Sequence, residues 1–150
     1  MGYIQMPSAY NRGAGSLFYA GSTNELVRFG ALTATPYEWL EASYFYNYQR
    51  DRLWGTKLGF LDKGFNVKFS LKNPTQYSVI PDIAIGLIDF AGTGFYTSEY
   101  IVGSYQNHIG SFSLGAGFGR LNGGSNSYSN PLGKVYDHFK IRRDVDYGVG

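Results

Sequence analysis

The stretch "FNVKFSL" alternates without a break: Phe65, Val67, Phe69 and Leu71 are apolar, while Asn66, Lys68 and Ser70 between them are polar. Successive side chains of a β-strand point to opposite faces, so a period of two predicts a strand with two unlike faces. The pattern recurs in "FSLGAGFGR", where Phe112, Leu114, Ala116 and Phe118 share one face and the other carries only Ser113, Gly115, Gly117 and Gly119. In "WLEASYFYNY", Leu40, Ala42, Tyr44, Tyr46 and Tyr48 oppose Trp39, Glu41, Ser43, Phe45 and Asn47. Weaker strands are expected over Ser16 to Ala20, Leu26 to Thr35, Ile83 to Phe90 and Tyr100 to Gln106, with breaks at Thr35-Pro36, Asn73-Pro74 and Gly92 to Gly94. Positions three and four apart nowhere align an apolar stripe longer than about two turns, which argues against helices. The expected fold is all-β: an antiparallel meander of about seven or eight strands, forming part or all of a β-barrel. It makes one domain over residues 1–150, with a flexible loop over residues 123–131.

Two environments produce such strands. A soluble sandwich turns the apolar face onto a core, whereas a membrane barrel turns it onto lipid and lines the lumen with small and polar residues. Composition bears on the choice: 14 Tyr, 11 Phe, 2 Trp and 21 Gly accompany only 16% charged residues, against about 25% in an average soluble domain. Tyrosines at a strand end and a Ser/Gly face opposite Phe112 to Phe118 favour lipid. The run "IAIGLI", Ile83 to Ile88, reads as bulky on both faces and favours a soluble core. It is also the longest apolar run, far short of the roughly 18 residues of a membrane helix.

Catalytic chemistry finds little support. The chain has no Cys, which excludes disulfides, thiolate metal sites and a Cys nucleophile. His108 and His138 are thirty residues apart, without the paired spacing of a zinc site. No G-x-S-x-G elbow is present. Glu41, Asp62, Asp89 and Glu99 are not grouped as a glycosidase pair requires. "GAGFGR" has glycines alternating with apolar residues as in a strand, not the helix that follows a phosphate loop. A formal charge of +2 and a pI near 8.7 are too mild for a nucleic-acid partner. The chain is therefore expected to be non-enzymatic, with no cofactor and no metal.

The ordered set "IQMPSA", "LVRFG", "PYEWLEASYFY", "LDKGFNVKFSL", "PDIAIGLIDFAGTGFYTSEYIVGSY" and "FSLGAGFGRLNGG" resembles the YjbH family over about residues 3–124. The resemblance implies a bacterial outer-membrane protein associated with exopolysaccharide and capsule operons, one that helps polysaccharide secretion through a large β-barrel. Family members are much longer and usually begin with a secretory or lipoprotein signal, so this sequence resembles their N-terminal portion, without the signal. Related short genes occur in viral genomes, which implies an alternative as a virion or tail component in a soluble oligomer. A glycan-binding module using surface aromatics is the third reading. The implied partners are outer-membrane lipid or neighbouring subunits, and a polysaccharide.

Arg28, Glu41, Asn66, Lys68 and Arg120 are the candidate lumen-lining residues, because each shares a strand with apolar residues of opposite parity or sits at a strand end. "DFAGTGFYTSEY", Asp89 to Tyr100, is expected to be a hairpin connection. There Gly92 and Gly94 allow positive φ, while Asp89 and Glu99 at its two ends accept hydrogen bonds from the turn.

Overall fold

A computed structural model describes residues 7–50, 59–71, 80–94, 96–122, 131–135 and 137–139. Seven strands form one sheet in chain order: β1 (Ser16–Thr23), β2 (Val27–Tyr37), β3 (Leu40–Gln49), β4 (Phe60–Leu71), β5 (Asp82–Gly92), β6 (Ser98–Gln106) and β7 (Ser111–Gly119). Every neighbouring pair is antiparallel. Among the described residues β1 and β7 do not pair, so the meander is an open sheet and not a closed barrel. Short 3-10 turns at Arg120–Asn122, Pro131–Lys134 and Asp137–Phe139 follow β7. The loop expected over residues 123–131 lies outside the described residues except for Pro131, and the Asn73-Pro74 break lies wholly outside them.

The turns follow from local side-chain chemistry. Asn24 Oδ1 accepts from the Leu26 and Val27 amides at 2.9 and 2.6 Å, closing β1 onto β2. Asn107 repeats the device between β6 and β7, accepting from Ile109 and Gly110 at 2.9 and 3.0 Å. An Asn side chain supplies the acceptor that a backbone turn otherwise provides. Pro36 was expected to end its strand, yet β2 runs through it to Tyr37. The β2–β3 register shifts between Ala34 and Tyr37, and this irregularity accommodates a residue that cannot donate to the ladder.

The sheet has an inverted core. Among the described residues, twelve buried side chains are polar or charged and six are apolar, so burial here follows polarity the wrong way for a soluble domain. Thr33, Thr35, Glu41, Ser43, Asp62, Lys68, Ser70 and Ser104 all lie on the buried face. The other face exposes Leu32, Phe65, Phe69, Ile85, Ile101 and Leu114. Glu41, Lys68, Gly86 and Tyr100 lie in one register row across β3 to β6, and the Tyr100 ring leans over Gly86 toward Lys68. The buried polar face is the inner face of the sheet.

"IAIGLI" resolves the same way. Ile83 and Ile85 are exposed, whereas Ala84 and Gly86 are buried. From Ile83 to Gly86 the run is therefore large outside and small inside, while Ile88, also of the inner parity, is half-buried against the inner apolar cluster. The small residues make room for aromatic rings from the next strand. A Cβ built on Gly86 would fall within the Tyr100 ring, its register partner on β6. On Gly64 it would meet the Phe45 ring at 3.0 Å and the Asp89 carboxylate. Glycine in a strand marks such close approach.

Candidate functional site

The candidate site is the buried polar face. At its centre Lys68 Nζ lies 3.1 Å from Glu41 Oε1, with side chains only 4% and 6% exposed. The two residues face each other in the β3–β4 register. The same ammonium donates to the Tyr10 carbonyl at 2.7 Å. That carbonyl belongs to the segment Pro7 to Asn11, which bends at Ala9 and crosses the polar face. The Ala9 amide donates to Ser104 Oγ at 2.8 Å, and Ser104 Oγ is also 2.8 Å from Ser113 Oγ. Ser70 Oγ donates to Asn11 Oδ1 at 3.1 Å, while Asn11 Nδ2 reaches the Glu38 carbonyl at 2.8 Å. Ala9 packs with Ala84, Tyr100 and Val102, the small apolar spot of this face. The segment thus touches β4, β5, β6 and the β2–β3 turn, and works as a strap across the inner surface.

Toward the other rim the face is acidic. Asp62 is fully buried and accepts a hydrogen bond from Thr93 Oγ1. Asp89 sits in β5 with φ of 52°, a left-handed conformation that Asp tolerates better than most residues. The β4–β5 register advances two residues on β4, Phe65 to Val67, but four on β5, Ala91 to Leu87. Asp89 is thus the kink of a bulge opposite Asn66. Asn66 Oδ1 accepts from the Asp89 amide at 2.9 Å, and Asp89 Oδ2 accepts from the Tyr96 amide at 2.9 Å. One carboxylate therefore ties the bulge to the following loop.

The expected residues fall in different places. Glu41, Asn66 and Lys68 lie on the polar face, with Asn66 engaged in the bulge. Arg28 does not join them. It pairs with Tyr48, shares parity with Leu32 and Ala34, and is exposed on the apolar face. Its position near the start of the strand concealed this parity. Arg120 is not in a strand but opens a 3-10 turn, half-buried, with its amide directed at the Thr97 carbonyl at 3.4 Å. Asp89 and Glu99 are not at the ends of a connection, because the bulge lets β5 continue to Gly92 and β6 starts at Ser98. Glu99 is buried, opposite Leu87 and Phe118. Gly94 has φ of 74°. Gly92 is required by contact, since a Cβ there would strike the Lys63 carbonyl. Sequence reasoning missed the strap and the hydroxyls of Thr33, Thr35, Ser43 and Ser104. Asp62, left out of the lumen set, was legible there, because it shares the parity of Asn66 and Lys68.

A family model described as "Exopolysaccharide biosynthesis protein YbjH" matches residues 1–150. The chain belongs to the YjbH family. It is 30% identical over 148 residues to an uncharacterized lipoprotein YjbH of Escherichia coli K12. The match takes in 95% of this chain and 21% of that relative, so the chain spans about one fifth of its length. No solved structure matches the chain. Within the family match fall the strap, the Glu41–Lys68 pair and the Asp89 bulge. The polar face offers hydroxyls, one buried ion pair and two buried carboxylates. Among the described residues it gathers no group of three or more metal-binding side chains.

Proposed function

We propose that this chain forms part of the wall of an outer-membrane β-barrel that assists passage of a secreted exopolysaccharide, and that it does so without catalysis. The observation carrying this reading is the inversion of the sheet: among the described residues most buried side chains are charged or carry hydroxyls, while large aliphatic and aromatic side chains are exposed in every strand from β1 to β7. Contiguous apolar surface on this scale requires a partner or a membrane. Strand length agrees with lipid. The strands run 8 to 12 residues, and transmembrane strands need about 9–11. Ten residues at about 3.3 Å each, tilted by about 40°, rise roughly 25 Å, the height of an apolar barrel band.

Aromatic placement supports the same orientation. Tyr37 and Trp39 stack at 5.5 Å at the β2–β3 turn, and Phe69 extends the stack at 6.2 Å. Rings at strand ends match the interfacial girdles of barrels. The family description supplies exopolysaccharide as the cargo class, and the lipoprotein relative is consistent with a membrane location. On the inner surface the buried Ser, Thr and charged side chains fix the wall beneath the strap, and the weak, exchangeable hydrogen bonds that replace water around a glycan come from the lumen as a whole, not from the buried pair.

The test uses the chain's lack of cysteine. Spin labels at single cysteines from Phe65 to Leu71, in lipid vesicles, should alternate: labels at 65, 67, 69 and 71 relax with lipid-soluble oxygen, those at 66, 68 and 70 do not. A chain that stays in solution as a defined oligomer without detergent, its odd positions shielded from oxygen and water alike, would overturn the membrane reading.

A further inference from the structure

The apolar face carries one feature that a uniform lipid-facing wall does not need. Between β1, β2 and β3 lies a cleft of about 290 Å³, lined by Tyr19, Arg28, Gly30, Leu32, Tyr44 and Tyr46 among others. Its floor is the Tyr19 ring, which lies low across Gly21 and Gly30, register partners that carry no side chain to lift it. Arg28 stands at the end of the cleft nearest the strand start, exposed. Among the described residues its side chain has no hydrogen bond or ion pair. One strand beyond Tyr46, Lys63 is its register partner on the same face, also exposed and also without a side-chain partner among the described residues.

Arg28 pairs with Tyr48 and Lys63 with Tyr46. The two cations are thus two strands and two residues apart, about 12 Å between Cα atoms at ordinary sheet spacings. Two long side chains can converge across that distance on one anion. A cation on the lipid face costs several kcal/mol at mid-depth but almost nothing near the interface, and both residues lie within four positions of a strand start. The cleft therefore offers positive charge at headgroup depth and an apolar slot running from it toward the middle of the strands.

We propose that this cleft binds a membrane lipid with a net negative headgroup, Arg28 and Lys63 holding the headgroup and the slot above the Tyr19 ring, beside Leu32 and Tyr44, admitting an acyl chain. The inference rests on the reading of this face as lipid-exposed. Charge complementarity selects an anionic headgroup, and the apolar, tyrosine-walled slot selects a lipid over a free anion.

Native mass spectrometry of the whole chain in detergent, with phosphatidylglycerol or phosphatidylcholine added, tests it. Phosphatidylglycerol should be retained in preference, as one lipid per chain. Arg28→Gln and Lys63→Gln should each weaken retention about five-fold at low salt, while Arg28→Lys largely preserves it. Gly30→Leu, whose side chain would push the Tyr19 ring up into the slot, should weaken both lipids' retention with the charges intact. Equal retention of the two lipids, or unchanged phosphatidylglycerol retention in the two Gln variants, overturns the site. Displacement by millimolar inorganic phosphate overturns it as a lipid site. Spin-label oxygen access at positions 65, 67 and 69 in the same micelles separates the failures. Access without lipid preference sinks only this inference, whereas no access sinks the barrel reading and this inference together.

Discussion

Lys68→Met removes the cation from the centre of the inner face and leaves three groups to be accounted for. The Glu41 carboxylate, 6% exposed, loses a partner at 3.1 Å, and the Tyr10 carbonyl loses a donor at 2.7 Å. The methionine itself is nearly isosteric and creates no cavity. Removing one member of a buried pair costs about 3–5 kcal/mol, because the remaining charge stays desolvated. Glu41 retains other contacts, which places the expected loss near the lower end, about 3 kcal/mol. Glu41→Gln alone should cost less, since the amide still accepts from Lys68. The double variant Glu41→Leu/Lys68→Met removes both charges and should be less destabilised than the sum of Glu41→Leu and Lys68→Met by about 2 kcal/mol or more, leaving mainly the lost Lys68–Tyr10 hydrogen bond. Urea unfolding from lipid vesicles, followed by tryptophan fluorescence, measures all four. Additivity within about 0.5 kcal/mol would show that the pair is solvated, and would refute the picture of a dry inner face closed by the strap.

Two further substitutions probe the packing beneath that face. Gly86→Ala places a Cβ within the Tyr100 ring, and overpacking of this kind costs about 1–3 kcal/mol. In a Tyr100→Leu background the same change should cost under about 1 kcal/mol, and equal costs by urea titration would contradict the ring-over-glycine contact. Asp89→Ala should destabilise by about 2–3 kcal/mol, because alanine adopts the left-handed conformation at a cost of about 1–2 kcal/mol and the Tyr96 amide loses its acceptor. Asp89→Asn keeps an acceptor and tolerates that conformation, so it should recover most of the loss. If Asn and Ala are equally damaging, it is the negative charge that matters and not the corner geometry.

The meander was legible because alternation is a local property. Phe65 to Leu71 and Phe112 to Phe118 announce their strands without reference to anything else. Three kinds of information were not local. Parity near strand ends misplaced Arg28, because its assignment depends on the register with Tyr48 and Thr23. The bulge carries β5 past the expected strand end at Phe90 to Gly92, so that Asp89 lies within the strand and not at its end, and it arises from a pairing between β4 and β5 that no single segment encodes. The strap was invisible because Pro7 to Asn11 has no periodicity, and its role appears only where Ala9 meets Ser104, 95 positions later. "IAIGLI" shows the converse error. Counting Ala and Gly as apolar hid an alternation of size, and on a face where rings from β6 need room, size is the signal.

Strand direction places a condition on any barrel built from this sheet. In an antiparallel meander β1 and β7 are both odd-numbered and run the same way, so joining them directly would create a parallel pair. Two copies meeting around an axis along the barrel leave the same mismatch, since β7 of one would again lie parallel to β1 of the other. Inverting one copy restores antiparallel pairing but points its strap-bearing rim the opposite way, which a membrane with two unlike sides does not permit. An all-antiparallel barrel that contains these seven consecutive strands therefore adds an odd number of others, consistent with the even totals of bacterial single-chain barrels. The edges themselves demand such neighbours. Leu17 and Tyr19 on β1 stand 67–69% exposed, and Phe112 and Leu114 on β7 62–84%, along the two edges that no described strand pairs. In hydrocarbon each unpaired backbone group costs several kcal/mol. Edge pairing therefore sets a stronger requirement on the assembly than the apolar face does.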